Sequence, residues 1–130
     1  MAKTNVELAL EGNAAFRRGD WDTVAANFDP HILLRMEPRW PEQRVYGREA
    51  ALAFYRGLRE SGGSDIRIEE ITDLGDRVLF RFCWHIRGVH SGVEGEFWTS
   101  ALSTFREGRV ILVEFFLEHG QALKAVGLAE

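Results

Sequence analysis

VLFRFCWHIR, residues 78–87, alternates over its whole length. Val78, Phe80, Phe82, Trp84 and Ile86 fall on one side of an extended chain, and Leu79, Arg81, Cys83, His85 and Arg87 fall on the other. A period of two sustained over ten residues is the signature of a strand. Its uniformly apolar side has to face an interior, because a slip of one residue would turn five large side chains into solvent.

Three further runs read as strands around it: Ile66–Ile71, Val93–Phe105 and Val110–Leu117. The links Leu74-Gly75-Asp76-Arg77, Gly88 to Gly92 and Arg106-Glu107-Gly108-Arg109 are short and supply the Gly and Asp of hairpin turns, so the runs form an antiparallel meander. In the third run Phe97, Thr99, Ala101, Ser103 and Phe105 share the inward face, with Trp98, Ser100 and Leu102 opposite. In the last run both faces are apolar, Ile111, Val113, Phe115 and Leu117 against Leu112 and Phe116. Together Leu112, Phe116, Leu102 and Trp98 make a larger outer patch than a monomer normally exposes, which predicts a homodimer through the outer sheet face.

The first half reads mainly as helix. Thr4 or Asn5 caps a helix with Val6, Ala9, Leu10 and Phe16 on its apolar positions, ending near Arg18-Gly19. Asp20 caps a second helix, Trp21 to Phe28, stopped by Asp29-Pro30. Ile32, Leu34 and Met36 alternate as a strand that runs into a turn at Pro38 to Pro41. From Arg48 to Glu60, Ala51, Phe54, Tyr55 and Leu58 form a helical stripe ended by Ser61-Gly62-Gly63-Ser64, and Gly120 to Gly127 forms a short closing helix. The fold class is therefore α+β, with N-terminal helices packed on a curved sheet.

Length and charge set the outer limits. A chain of 130 residues suits a single domain over residues 1–130, and its net charge of -4 is spread as mixed signs without the basic stripe that nucleic acid requires. No apolar stretch approaches the roughly 20 residues of a membrane span. The lone Cys83 has no intrachain partner and no apolar leader opens the chain, so a cytoplasmic setting is expected. Cys83, His85 and His90 are close in sequence, but no second cluster completes a tetrahedral set, so no metal is expected. The glycines around His90 lack the following helix of a phosphate loop, and no cofactor is expected. Ser100 or Ser103 has no strained Gly-x-Ser-x-Gly elbow to make it a nucleophile, and His119 reads as a turn residue.

Several phrases, in order along nearly the whole chain, resemble the SnoaL-like branch of the nuclear transport factor 2-like superfamily. They are Gly19-Asp20-Trp21-Asp22, Phe28-Asp29-Pro30, Gly47-Arg48-Glu49-Ala50, Gly75-Asp76-Arg77-Val78, Ser91-Gly92-Val93-Glu94, Thr104-Phe105-Arg106-Glu107-Gly108, and residues 122–128. The resemblance implies a cone-like α+β barrel, a strongly curved mixed or antiparallel sheet wrapped by helices around a deep pocket, with dimerisation through the sheet common. It implies no one reaction, because the same cone hosts ketosteroid isomerases, polyketide cyclases, epoxide hydrolases and dehydratases.

Within that resemblance, Glu37 before Pro38 is similar to the isomerase base and is the candidate catalytic residue. The plainer alternative is a strand-end carboxylate in solvent or paired with Arg35 or Arg39. The isomerase oxyanion donors would fall near Gly12 and Ala101, which have none, and the epoxide-hydrolase trio would fall on Phe82, Trp84 and Phe115, all apolar. The expected binding wall is therefore Leu34, Met36, Tyr55, Phe82, Trp84, Phe97 and Phe115, with Thr99 and Ser103 as orienting hydroxyls. The expected partner is a small hydrophobic molecule. The alternatives are an isomerase, cyclase or dehydratase with Glu37 as base and no metal, and a structural homodimer whose pocket is filled by its own aromatics.

Overall fold

The computed structural model describes residues 3–37, 43–60, 66–87 and 94–128. Its first helix, α1 (Asn5–Arg18), starts from a reciprocal cap: the Glu7 N–H donates to the Thr4 hydroxyl while the Glu7 carboxylate accepts from the Thr4 N–H. Gly19 ends α1 in the left-handed region at φ 73°, where a side chain would be strained. Asp20 follows at once as the cap of α2 (Trp21–Ala26), accepting from both the N–H and the hydroxyl of Thr23.

The second helix stops two residues earlier than the sequence pattern suggested. Phe28 belongs instead to β1 (Phe28–Arg35), which runs through Asp29-Pro30. Pro30 carries no N–H, and the pairing of β1 shifts register between Phe28 and Leu33. Arg48 donates through Nε and Nη2 to the Phe28 carbonyl at 3.2 and 2.8 Å, and Asp29 accepts from the His31 N–H at 2.8 Å. Side chains thus satisfy backbone groups at the irregularity. The Arg48 contact also fixes the start of α3 (Arg48–Leu58) against β1.

A three-residue strand, β2 (Arg44–Tyr46), was not anticipated. It pairs antiparallel with Leu33–Arg35 and has too few residues to show a period of its own. The remaining strands are β3 (Ile66–Asp73), β4 (Arg77–Arg87), β5 (Glu94–Arg106) and β6 (Arg109–Phe116), followed by α4 (His119–Ala125). The sheet order is β2-β1-β6-β5-β4-β3. β3 to β6 form the antiparallel meander, and β1 joins β6 in parallel, so the curved sheet is mixed. The expected turns at Pro38 to Pro41 and Gly88 to Gly92, the Ser61–Ser64 link and His90 lie outside the described residues.

One face of the sheet carries the main core. Ile32 and Leu34 are fully buried, and Phe16, Val24, Ala51, Val78 and Phe80 pack with them beneath the helices. Burying each of the large aliphatic side chains contributes about 1.5–3 kcal/mol. The opposite face has a smaller core of Leu79, Leu102 and Ala122, with Phe116, Leu123 and Val126 packed against it. The chain's own α4 therefore covers Leu102 and Phe116, part of the patch for which a second copy was expected. Trp98 remains 40% exposed, with the Arg81 guanidinium 4.6 Å from its ring centre. Among the described residues, no helix is long and apolar enough to cross a membrane.

Candidate functional site

The helices do not fill all the space above the concave sheet face. A cavity of ≈ 140 Å³ remains between α1, α2, α3 and strands β4 to β6. Its sheet wall consists of alternate residues of paired strands: Phe80, Phe82 and Trp84 from β4, and Thr99, Ala101 and Ser103 from β5. The pairing places Phe82 beside Thr99 and Phe80 beside Ala101, with Ala101 also beside Phe115 of β6. Alternation is the reason: residues two apart on a strand share a face, and registered neighbours continue it.

The helical wall comes from α1 and α3. Ala9, Gly12, Asn13 and Phe16 follow helical spacing along α1, and Tyr55 and Leu58 come from α3. Tyr55 sits in an aromatic cage, its ring centre 5.9 Å from that of Phe16, 5.6 Å from Phe28 and 6.4 Å from Phe115. Burial pushes the Tyr55 hydroxyl above its ordinary range, so it stays protonated and neutral. Trp84 Nε1 donates to Thr99 Oγ1 at 2.6 Å, fixing the indole plane at one end of the cavity. No Asp, Glu, His, Lys or Arg lines the cavity among the described residues.

Of the residues singled out from sequence, Tyr55, Phe82, Trp84, Thr99, Ser103 and Phe115 lie on this wall. Leu34 and Met36 lie in the solid core behind it, 0% and 4% exposed, and do not reach the cavity surface. Phe97 stacks on Trp84 with ring centres 5.3 Å apart and planes at 10°, is partly open to solvent and is not on the cavity wall. Glu37 is buried, 6% exposed, rather than a solvent-facing strand end, and it too is absent from the cavity wall. The regular alternation of β1 stops at Arg35, and Met36 and Glu37 are buried in succession.

Two polar cavity residues, Asn13 and Asn27, escaped the sequence reading. Asn13 was legible, because it follows Ala9 by four residues on the apolar face of α1. Asn27 was hidden by the expected extension of α2 to Phe28; it is the residue that ends that helix and turns the chain into β1.

On the other side of the sheet, Ser100 Oγ lies 2.7 Å from His119 Nδ1, and His119 Nε2 lies 3.5 Å from Glu70. The order of groups is that of a serine hydrolase, but Ser100 is 1% exposed beneath α4 and faces away from the cavity. A nucleophile needs access to a substrate carbonyl and an oxyanion hole beside it. The chain of bonds instead ties the start of α4 to the sheet. Cys83 and His85 share that outer face, with Glu96 3.8 Å from the thiol and 3.6 Å from the imidazole. Burial, and then the nearby Glu96 carboxylate, push the thiol's pKa up, which disfavours the nucleophilic thiolate.

Solved structures share this architecture at low sequence identity. An NTF2-like protein from Burkholderia thailandensis superposes with a TM-score of 0.77 at 17% identity, covering 96% of this chain and 98% of that one. A putative SnoaL-like polyketide cyclase from Jannaschia sp. CCS1 gives 0.74 at 22% identity, covering 97% and 93%. TerC, co-crystallized with polyporic acid, gives 0.72 at 17% identity, covering 95% and 98%. Among curated proteins, none matches this sequence. The SnoaL-like domain family matches residues 10–113, a range that holds most of the residues lining the cavity, and the chain belongs to that family.

Proposed function

We propose that the cavity binds a small, uncharged, largely apolar molecule, and that the protein holds this ligand without acid–base chemistry. The observation that carries the reading is the composition of the wall. Glu37, at the position similar to the isomerase base, is off the wall; the other positions at which the family's known chemistries would place oxyanion donors (Gly12, Ala101) or a catalytic trio (Phe82, Trp84, Phe115) line this cavity, and none of these side chains can move a proton. Phe82, Trp84 and Phe115 instead offer flat contact area, and the Trp84–Thr99 hydrogen bond keeps one of those surfaces in place. The co-crystallization of TerC with polyporic acid and the cyclase-like description of the Jannaschia protein are in keeping with a ring-shaped ligand in this fold. An apolar cavity of about 150 Å³ accommodates benzene, so the empty space here suits a ligand group of about one ring.

A second reading, an isomerase-, cyclase- or dehydratase-like enzyme with Glu37 as base, is favoured by the burial of that carboxylate. A thermal-shift screen against single-ring aromatics, terpenoids, steroids and polyketide-like compounds separates the two. Ligand at a hundredfold its Kd adds about 2.7 kcal/mol to stability. A binding module loses that shift on Trp84→Ala and keeps it on Glu37→Gln, with no turnover in either case. Turnover abolished by Glu37→Gln establishes the enzyme instead, and the absence of a shift from every class overturns the binding reading.

A further inference from the structure

Ser103 sits on the inward face of β5, in phase with Thr99, Ala101 and Phe105, and all four line the cavity. The opposite phase packs on the other side of the sheet, where Leu102 meets Leu79 and Ala122. Serine has one side-chain heavy atom beyond Cβ, so the pleat itself carries the hydroxyl to the cavity side of the sheet. In register, Ser103 stands between Val78 of β4 and Val113 of β6, which are 0% and 4% exposed. Ser103 keeps more accessible surface than either neighbour. With the strands on both sides closed, that surface opens into the cavity.

The Ser103 hydroxyl has no hydrogen-bond partner among the described residues. It is also not one of the partnerless buried atoms sealed from contact, which are Asn27 Nδ2, Arg59 Nε and Arg81 Nε. It is therefore both unpaired and within reach of a molecule in the cavity. The other polar groups of the wall differ. Thr99 Oγ1 already accepts from Trp84 Nε1. Tyr55 and Asn13 stand on the helical wall, at the ends of longer side chains whose direction the backbone does not fix.

The strand also sets the distance from this hydroxyl to the empty space. Ala101 is the smallest side chain on the sheet wall and is registered beside Phe80 and Phe115, so the room for a ring lies in front of it. Residues two apart on a strand are separated by about 6.5 Å. A six-membered ring with an oxygen attached directly to it, followed by an O–H···O bond of about 2.7–2.8 Å, spans roughly 5.5 Å from the ring centre to the serine oxygen. A ring seated over Ala101 therefore brings such an oxygen to Ser103.

Resting on the binding reading above, we propose that Ser103 hydrogen-bonds the ligand, and that the group it holds is a neutral ring bearing a directly attached oxygen, a phenol or a ring ketone, seated over Ala101. The serine hydroxyl suits both, because it donates to a ketone and either donates to or accepts from a phenol. The charge of the wall narrows the class. With no cation lining the cavity among the described residues, a carboxylate or phosphate would be stripped of water without a counter-charge. Position 103 thus supplies the polar contact that positions 12 and 101 lack.

The test uses two pairs of probes of similar shape, phenol with toluene and cyclohexanone with methylcyclohexane. Each is titrated into the isotopically labelled full chain and its Ser103→Ala variant, followed by NMR. One net hydrogen bond corresponds to about 3- to 10-fold in affinity. Ser103→Ala is expected to weaken phenol, cyclohexanone or both by that factor, and which of them responds names the oxygen; toluene and methylcyclohexane are expected to bind equally or more tightly. In the unsubstituted protein, ring protons of the oxygen-bearing probe are expected to show NOEs to the Ala101 methyl and the Ser103 Hβ protons, a readout that stands if the variant fails to fold. The assignment is overturned, and the cavity left a binding site, by equal changes for both members of each pair, by NOEs that avoid Ala101 and Ser103, or by a selective loss that follows Tyr55→Phe or Asn13→Ala instead. If no probe binds the unsubstituted protein, the Ser103 contact and the binding reading fall together.

Discussion

Replacing Ala101 by isoleucine fills the cavity from its sheet wall. Ala101 is 4% exposed, lies in the middle of β5 and is flanked in register by Phe80 and Phe115, so the added atoms enter the empty space between those rings and α1. Three extra carbons at about 0.8 kcal/mol each amount to about 2.4 kcal/mol. Fixing the isoleucine rotamer costs about 0.5–1 kcal/mol of this, which leaves a stabilisation of about 1.5–2 kcal/mol. Isoleucine is also at home in a strand. For a chain of this length the gain corresponds to a rise in Tm of roughly 5–7 °C. Thermal unfolding of Ala101→Ile, with and without the best ligand of the screen, is the assay. The expected outcome is a higher Tm together with loss of the ligand-induced shift. A lower Tm, by the 1–3 kcal/mol typical of overpacking, with ligand response intact would refute the reasoning, because the space in front of Ala101 would then be neither empty nor the binding site.

Other consequences are smaller in scale. Ser100→Ala removes the bond to His119 Nδ1 in a buried setting and is expected to lower stability by about 1–2 kcal/mol, with backbone exchange accelerating first in α4. Burial holds the Tyr55 hydroxyl above its ordinary 10.0, so the folded state keeps a proton that the unfolded chain gives up. That contribution is complete below the unfolded value and is lost as pH climbs beyond it. Tyr55→Phe should therefore flatten the alkaline fall in urea midpoint measured between roughly pH 9 and 11. At the acid end, the backbone N–H and hydroxyl of Thr4 hold the Glu7 carboxyl below its ordinary 4.5, so the cap contributes above that value and is lost as pH falls through the lower folded one. Thr4→Ala is expected to cost about 1 kcal/mol near neutrality, and the difference from the parent protein should shrink in acid.

The strands and most of the helices were legible because each carries its own period. The inward set Val78, Phe80, Phe82 and Trp84 could be read from ten residues, and the observed register continues it across β5 and β6 without a slip on that face until Thr104–Phe105. Misreadings arose where a local signal had two meanings. Asp29-Pro30 signals a helix stop, but here it also opens a strand, since a missing N–H is tolerated where the pairing is already irregular and Arg48 reaches in to satisfy the Phe28 carbonyl. β2 has no signal apart from its partner. The outer face of the sheet looked bare because α4 was recognised as a helix but not placed, and placement depends on contacts such as Ala122 with Leu79 and Leu102, far apart in the chain.

The same division holds at the site. Alternation and helical spacing determine which faces of β4, β5, α1 and α3 are apolar, and therefore that aromatic rings converge between sheet and helices; the sequence alone was sufficient for that. Only the tertiary structure decided that the rings leave space between them, and that Leu34, Met36 and Glu37 stand behind the wall rather than on it. The physical reason is that periodicity reports the direction in which a side chain leaves its own element. Whether it then meets a neighbour, solvent or empty space depends on how closely separate elements approach, and that distance is set by packing the whole chain at once.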